Sequence, residues 1–322
     1  MSKRIIVTGA GGMIGSHLVK YLKKKGDYVI GVDVKHPEWG DSQADEFIIY
    51  DLRFPVYRDE AVRHFEGVDE VYHLAADMGG IGYIETHKAD IVFNNTLINL
   101  HMLATCNQLQ IPKLLFTSSA CIYPAYLQKA GIPHVKLKET HAYPAQAEDG
   151  YGWEKLMMER NCRQFMEDYE LLVYIARLHN IYGEYGTYEG GREKSPAALC
   201  RKVALAKDRD SLEIWGDGTQ VRSYCHVSDC VRGLYMLMQS SHHMPLNIGT
   251  DHPVSIDELA DTVMTIASKE LKKSYVEAAP MGVQYRNADI QEAKDVLGWY
   301  PEISLCAGLE RTYKWIKSQV SQ

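Results

Sequence analysis

The nine residues VTGAGGMIG, Val7 to Gly15, constrain this chain more than any others. They directly follow an apolar run that begins at Arg4 and open an amphipathic stretch, Met13–Lys25. Gly9, Gly12 and Gly15 stand in a GxxGxxG pattern. A strand that turns sharply through glycines into a helix gathers backbone N–H groups and the positive end of the helix dipole at one point. That point suits a pyrophosphate, with Met13 and Ile14 in the first helical turn beside the glycines. A plain tight turn between strand and helix is the other reading of the same residues, and the segments beyond the turn decide between them.

Further short apolar runs come next: YVIGVD, EFIIYD, VYHLAA, KLLFTSS and LLVYIARL. They are continuous rather than alternating, as expected of parallel strands covered on both faces. Helical stretches lie between them, such as Asn94–Gln108. Strand and helix in alternation predict an α/β fold with a doubly wound parallel sheet of the Rossmann type. After Leu178 the texture changes. Residues 179–225 are rich in Gly, Tyr and basic residues; a strand-then-helix pattern returns at RSYCHVSDCVRGLYMLMQ, and PLNIG reads as one more strand. Residues 255–322 are helix-rich and polar. The expected division is a nucleotide-binding domain over 1–178 plus 226–250, and a smaller C-terminal substrate-binding lobe over 179–225 plus 251–322.

Composition narrows the function classes. The formal charge is −7, from 35 basic and 42 acidic side chains, which argues against bulk affinity for nucleic acid or an anionic membrane. No apolar run approaches the ~20 residues of a membrane span, and no signal peptide precedes the first strand. The seven cysteines are scattered and odd in number, with no CxxC; they read as reduced thiols of a cytoplasmic protein. No HExxH or paired Cys/His spacing calls for a metal.

The cofactor end takes shape from the strand ends. Asp33 closes the second apolar run, where a carboxylate accepts bonds from ribose hydroxyls and repels a 2′-phosphate. This favours NAD over NADP, with Lys35 as an opposing feature. Asp51 and Leu52, in YDLR, stand where an adenine amino group would meet a carboxylate, although Asp51 also reads as a simple turn former. Leu74, Ala75 and Ala76 end the fourth run with residues small enough for the cofactor's middle to pass. YGWEK then places Tyr151 and Lys155 at i and i+4, on one helical face. Taking hydrogen from a carbinol carbon also requires the hydroxyl proton to leave. A phenol does this when a nearby ammonium favours phenolate, so Tyr151 and Lys155 are the candidate base and its partner.

Taken together, TGxxGxxG, the strand-end aspartate, DLR, HLAA, SSxxxY and YxxxK resemble the extended short-chain dehydrogenase/reductase family over essentially the whole chain. The resemblance implies an NAD-dependent enzyme acting on nucleotide sugars. Longer stretches, ADMGGIGYI, NNT, SSACIYP, RLHNIYG, GGREKSPAA, CRK and WGDGTQVRSY, are similar to the GDP-mannose 3,5-epimerases within that family. An isomerase of that kind is therefore expected, acting on GDP-mannose and giving GDP-L-galactose and GDP-L-gulose. A 4-epimerase only moves hydrogen on and off C4. A 3,5-epimerase must also exchange protons at C3 and C5, which become acidic once C4 is a ketone. Ala120-Cys121 and Lys194 are the residues that the extra step needs: a thiolate as base and an ammonium as acid. Packing as a small buried hydrophobe is the competing role for Cys121, and a solvated loop charge is that for Lys194.

The resemblance also implies the rest of the site. Ser119 bonds the sugar O4 beside Tyr151. Gly79 and Gly80 admit the hexose. Asn180, Glu193, Lys202 and Gln220 contact the substrate, and Arg222 and Arg286 hold its diphosphate through planar guanidinium forks. It further implies a homodimer built on Asn94–Gln108 and Trp153–Asp168. Two other readings remain at this level: a 4-epimerase or 4,6-dehydratase on another nucleotide sugar, such as a heptose, and a non-catalytic NAD-binding protein of the same fold.

Overall fold

The structure, a computed structural model, describes residues 2–321. Its centre is a parallel sheet of seven strands. Five come early: β1 (Arg4–Thr8), β2 (Tyr28–Asp33), β3 (Glu46–Ile49), β4 (Glu70–His73) and β5 (Lys113–Ser119). Leu172–Leu178 and Leu246–Ile248 complete it. In space the order is Leu246–Ile248, Leu172–Leu178, β5, β4, β1, β2, β3. Chain order reverses between β1 and β4, and in open α/β sheets the crevice outside the strand ends at that reversal is the ligand site. The expected Rossmann-type sheet is therefore present.

The apolar runs form these strands because both faces are covered. One face packs against α1 (Met13–Lys25) and the helix Val227–Met238, with Leu18, Leu22, Leu234, Leu237 and Trp299 fully buried. On the other face lie α3 (Lys88–Gln108) and α4 (Asp149–Tyr169), carrying Met102, Leu103, Cys106, Met158 and Cys162 inward. The short α2 (Ile81–Thr86) precedes α3.

Helix α3 begins six residues before the expected Asn94. Asparagine is a common helix cap, but neither Asn94 nor Asn95 caps this one. Here Asn95 is buried inside the helix and its side chain brackets Asp77, accepting from Asp77 N at 2.7 Å and donating to Asp77 O at 3.1 Å. Its side chain is spent on a tertiary contact.

The C-terminal lobe holds a four-stranded sheet in the order Pro253–Ser255, Val221–Ser223, Tyr285–Ala288, Lys136–Leu137. The last strand lies within the first 178 residues, so the chain reaches this lobe earlier than its texture indicates; two residues carry no periodic signal. The helix α5 (Ser195–Leu205) packs against Leu305–Val320 in the same lobe. The seven cysteines are all unpaired. Among the described residues no helix is long and apolar enough to cross a membrane.

Candidate active site

The glycine turn forms a cradle. Gly9 has φ +68°, and a Cβ there would stand 2.9 Å from the backbone N of Ala75. Only glycine lets the turn lie so close to the end of β4. Gly12 precedes α1 in extended conformation, and no side chain caps that helix. The first amides of α1, from Met13, Ile14 and Gly15, therefore have no acceptor within the helix and are free to donate to a ligand. Asp33 stands at the end of β2 beside the turn, its Oδ2 accepting from Gly11 N at 2.9 Å. Lys35, the residue that spoke for a 2′-phosphate, is paired with Glu38 instead. These residues fit NAD. Asp51 is gripped by Arg53, whose hydrogen bonds outweigh burial and hold the carboxyl below its usual range. Leu52 is buried, and Leu74, Ala75 and Ala76 follow β4 at the reversal of strand order.

Behind the cradle runs a buried polar chain. Leu74 N and Ala75 N donate to Thr8 Oγ1, and Thr8 Oγ1 lies 2.8 Å from His73 Nδ1. His73 Nε2 lies 3.0 Å from Asn99 Oδ1, and Asn99 Nδ2 donates to Glu154. Burial, then the charge of Lys155, push His73 down to about 3. The ring is neutral, with its proton on Nε2 towards the Asn99 carbonyl, so Thr8 donates to Nδ1. This chain ties the cofactor turn to the helix that carries Tyr151 and Lys155.

A cleft of about 270 Å³ opens between the sheet and the lobe. Ser119, Ala120, Cys121, Tyr151 and Lys194 line it, as do Gly79, Gly80, Asn180, Glu193, Lys202, Gln220, Arg222 and Arg286. Lys155 lies behind this wall, buried, with Nζ 4.7 Å from the Phe116 ring centroid and 5.9 Å from that of Tyr151. Burial raises the Tyr151 phenol well above the ordinary tyrosine range; Cys121 and Glu154 add to this, and the Ser119 hydroxyl opposes it. Burial lowers Lys155.

The end of β5 places the thiol. Ser119 Oγ accepts from Cys121 N at 3.2 Å and fixes the single turn Ala120–Ile122. Burial pushes the Cys121 thiol up, with Glu148 adding to the effect, while Arg286 and Ser119 pull it down. Lys194 immediately precedes α5, and burial lowers its ammonium while the Cys121 charge opposes the shift. Both groups thus move towards their neutral forms.

Register explains the two arginines. Val221–Ser223 and Tyr285–Ala288 are parallel neighbours with Arg222 opposite Arg286, so both guanidiniums enter the cleft from one sheet face. Arg222 donates to the carbonyls of Val221 (2.8 Å) and Met281 (3.1 Å) and has no acidic partner among the described residues. Burial, then Arg286, lower it to about 10. Arg286 is pinned by Glu148, by Gln128 Oε1 at 2.7 Å and by Cys121 Sγ at 3.5 Å. Two cations facing one carboxylate leave the cleft receptive to an anion. Lys202 is held by Glu213, Asn180 Nδ2 donates to Ser223 O at 3.1 Å, and Glu193 Oε2 and Gln220 Oε1 are buried without partners.

Glu148, which the sequence reading passed over, lines the cleft. Burial raises its carboxyl, but Arg286 and Arg222 outweigh this and hold it below the usual range. Its position three residues before Tyr151 carried no signal; only the fold brings it to Arg286. Trp215 and Met281 also line the cleft unannounced.

Residues 5–249 match the NAD dependent epimerase/dehydratase family. A GDP-mannose 3,5-epimerase of Arabidopsis thaliana is 43% identical over 321 residues, 99% of this chain and 83% of that protein. The GDP-L-fucose synthase of Escherichia coli (strain K12) is 29% identical, over 98% of this chain and 97% of that one. Among solved structures, a UDP-glucuronic acid 4-epimerase from Bacillus cereus in complex with UDP-glucuronic acid and NAD is 26% identical with a TM-score of 0.82, covering 98% of this chain and 99% of that one.

Proposed function

The chain belongs to the NAD dependent epimerase/dehydratase family, and from that premise we propose that it is an NAD-dependent isomerase that epimerises GDP-mannose at C5 and C3. The observation that carries the reading is the meeting of Tyr151, Cys121 and Lys194 in one cleft. A 4-epimerase needs the tyrosine alone. The similarity to the Arabidopsis enzyme over nearly the whole chain supports the same conclusion, as does the cationic Arg222–Arg286 face for a diphosphate.

Gly9, Gly12, Met13, Ile14 and Gly15 hold the pyrophosphate of NAD, and Asp33 its adenosine ribose. Asp51, Leu52, Leu74, Ala75 and Ala76 border it. Bound there, NAD would supply the acceptor and donor of a hydride at C4. Ser119 holds the O4 hydroxyl, and Tyr151 removes and restores its proton. Lys155 supplies the positive charge behind Tyr151, which offsets part of the burial cost of a phenolate. With C4 a ketone, the protons on C5 and C3 are acidic. Cys121, as the thiolate that the Arg286 cation favours, takes a proton from one face of the ring, and Lys194, as the ammonium, returns one to the opposite face. An ammonium lowered by burial gives up its proton more readily than an ordinary lysine. Arg222 and Arg286 bind the diphosphate, and Asn180, Glu193, Lys202 and Gln220 orient the rest, within the lobe formed by 179–225 and 251–322 with the Lys136–Leu137 strand.

We further infer a cytoplasmic homodimer. Seven unpaired cysteines support the compartment. The dimer reading rests on α3 and α4, which pack side by side and expose Phe93, Leu100, Trp153 and Met157. Incubating the purified protein with GDP-mannose and resolving the product sugars tests the proposal. GDP-L-galactose and GDP-L-gulose are expected; a product inverted only at C4, or none, contradicts it.

A further inference from the structure

Two unusual stretches of the chain, MGGIGYI and GGREKSPAA, are locked together. Gly80 N donates to the Arg192 carbonyl at 2.9 Å, and a Cβ on Gly80 would stand 2.3 Å from the Glu193 carbonyl oxygen. Glycine alone permits this approach. The Arg192 side chain then folds back over the first stretch. Its guanidinium lies 3.7 Å from the Tyr83 ring centroid. One nitrogen donates to the Tyr83 hydroxyl, the other to Asp77 Oδ1 and Met78 O, each at 3.4 Å. Tyr83 in turn donates to Asp77 Oδ1 at 2.8 Å, and Asn94 donates to Asp77 Oδ2 at 2.9 Å. An isolated surface ion pair contributes little. A stacked guanidinium with several directed hydrogen bonds instead fixes one geometry.

What this geometry fixes are the next two residues. Glu193 and Lys194 line the cleft, whereas Arg192 does not. The Lys194 side chain makes no hydrogen bond or ion pair with other described residues, so nothing holds its tip directly. Upstream, Gly190 and Gly191 have φ +85° and +84° with open space around them. Among the described residues, the backbone of Lys194 is anchored by the start of α5 on one side and by the Arg192-Glu193 contact with the first stretch on the other.

We infer that Arg192, clamped on Tyr83 and Asp77, is a positioning residue that sets the reach of Lys194 into the cleft and so governs proton exchange at the ring carbons. The inference rests on the epimerase reading of the cleft and adds to it a residue that does not touch the substrate.

Arg192→Ala, Arg192→Lys and Tyr83→Phe in the full chain test it with two readouts. The first needs no sugar: acetylation of Lys194 by acetic anhydride across pH, followed by peptide mass spectrometry. Burial in the cleft lowers the Lys194 ammonium. Arg192→Ala should raise its labelling midpoint by about one pH unit towards ordinary lysine, with Tyr83→Phe intermediate and Arg192→Lys closer to the parent. The second is deuterium uptake at C5 and C3 of GDP-mannose in heavy water. Arg192→Ala should slow uptake about tenfold or more while KM stays within about twofold. An unchanged midpoint with unchanged uptake overturns the inference. So does an equal loss of ring exchange and C4 oxidation accompanied by a lower melting temperature, which makes Arg192 structural only. If the parent protein takes up no deuterium yet Arg192→Ala still moves the midpoint, the clamp stands and the epimerase reading falls.

Discussion

Arg286 donates from one guanidinium nitrogen to the Cys121 sulfur over 3.5 Å, while its other end grips Glu148. The cation that touches the thiol is thus an arginine from the lobe, not Lys194. Removing that cation leaves only Ser119 against burial and Glu148, so Arg286→Met should move the alkylation midpoint of Cys121 upward. Glu148→Gln removes a negative charge and should move it downward. At a fixed pH near 8 the two variants should differ about tenfold or more in Cys121 alkylation rate. Iodoacetamide labelling across pH, with exposed Cys306 as reference, measures this. Shifts of the same sign would refute the electrostatic account of Cys121.

The buried pair Arg177–Glu159 holds α4 to its neighbouring strand through bonds of 3.0 and 2.7 Å. Glu159 also accepts from Ser118, and Arg177 donates to Tyr123 and to the Glu139 carbonyl. Arg177→Met strands a buried carboxylate and should cost about 3–5 kcal/mol, whereas Arg177→Met with Glu159→Met should cost less than either single change. Denaturant unfolding of the three variants decides.

Glu139 accepts from Asn247 N at 2.8 Å, and burial pushes its carboxyl up from 4.5 to about 7. A raised carboxyl binds its proton more tightly folded than unfolded, so its stabilising contribution is fully present below pH ~4.5 and is lost as pH rises to about 7. Half-buried as it is, the loss should be about 1–2 kcal/mol. Glu139→Gln should flatten that slope in a thermal-unfolding series between pH 4.5 and 8; an unchanged slope counts against it.

The sequence was legible where local pattern and tertiary demand agree. The strand, glycine turn and helix from Arg4 to Lys25 form as written, because each residue serves its own element. The residues that line the cleft were legible only through long stretches such as GGREKSPAA. Glu148 was not, since its importance lies in Arg286, 138 residues away. Nor was the Arg222–Arg286 pairing, a matter of strand register between distant segments. The start of α3 was not legible either: the helix begins at Lys88 rather than Asn94, and Asn95 inside it bonds the backbone of Asp77, a tertiary contact.

The dimer reading predicts its own failure point. Phe93 and Met157, each more than 60% exposed on neighbouring helices, should be buried between subunits. Phe93→Asp with Met157→Asp should convert a dimer to a folded monomer in light scattering. A parent protein that is monomeric at micromolar concentration contradicts the assignment.

The central claim is that Cys121 and Lys194 exchange ring protons while Tyr151 serves C4. Positional deuterium analysis by NMR, on GDP-mannose and products recovered from heavy water, tests this most directly. The parent protein should place deuterium at C5 and C3 and leave C4 with its own hydrogen. Cys121→Ala should abolish uptake at C5 and C3 yet still form a 4-keto sugar trappable by borohydride. Undiminished deuterium at C5 and C3 in Cys121→Ala would show that the thiol only packs the strand end.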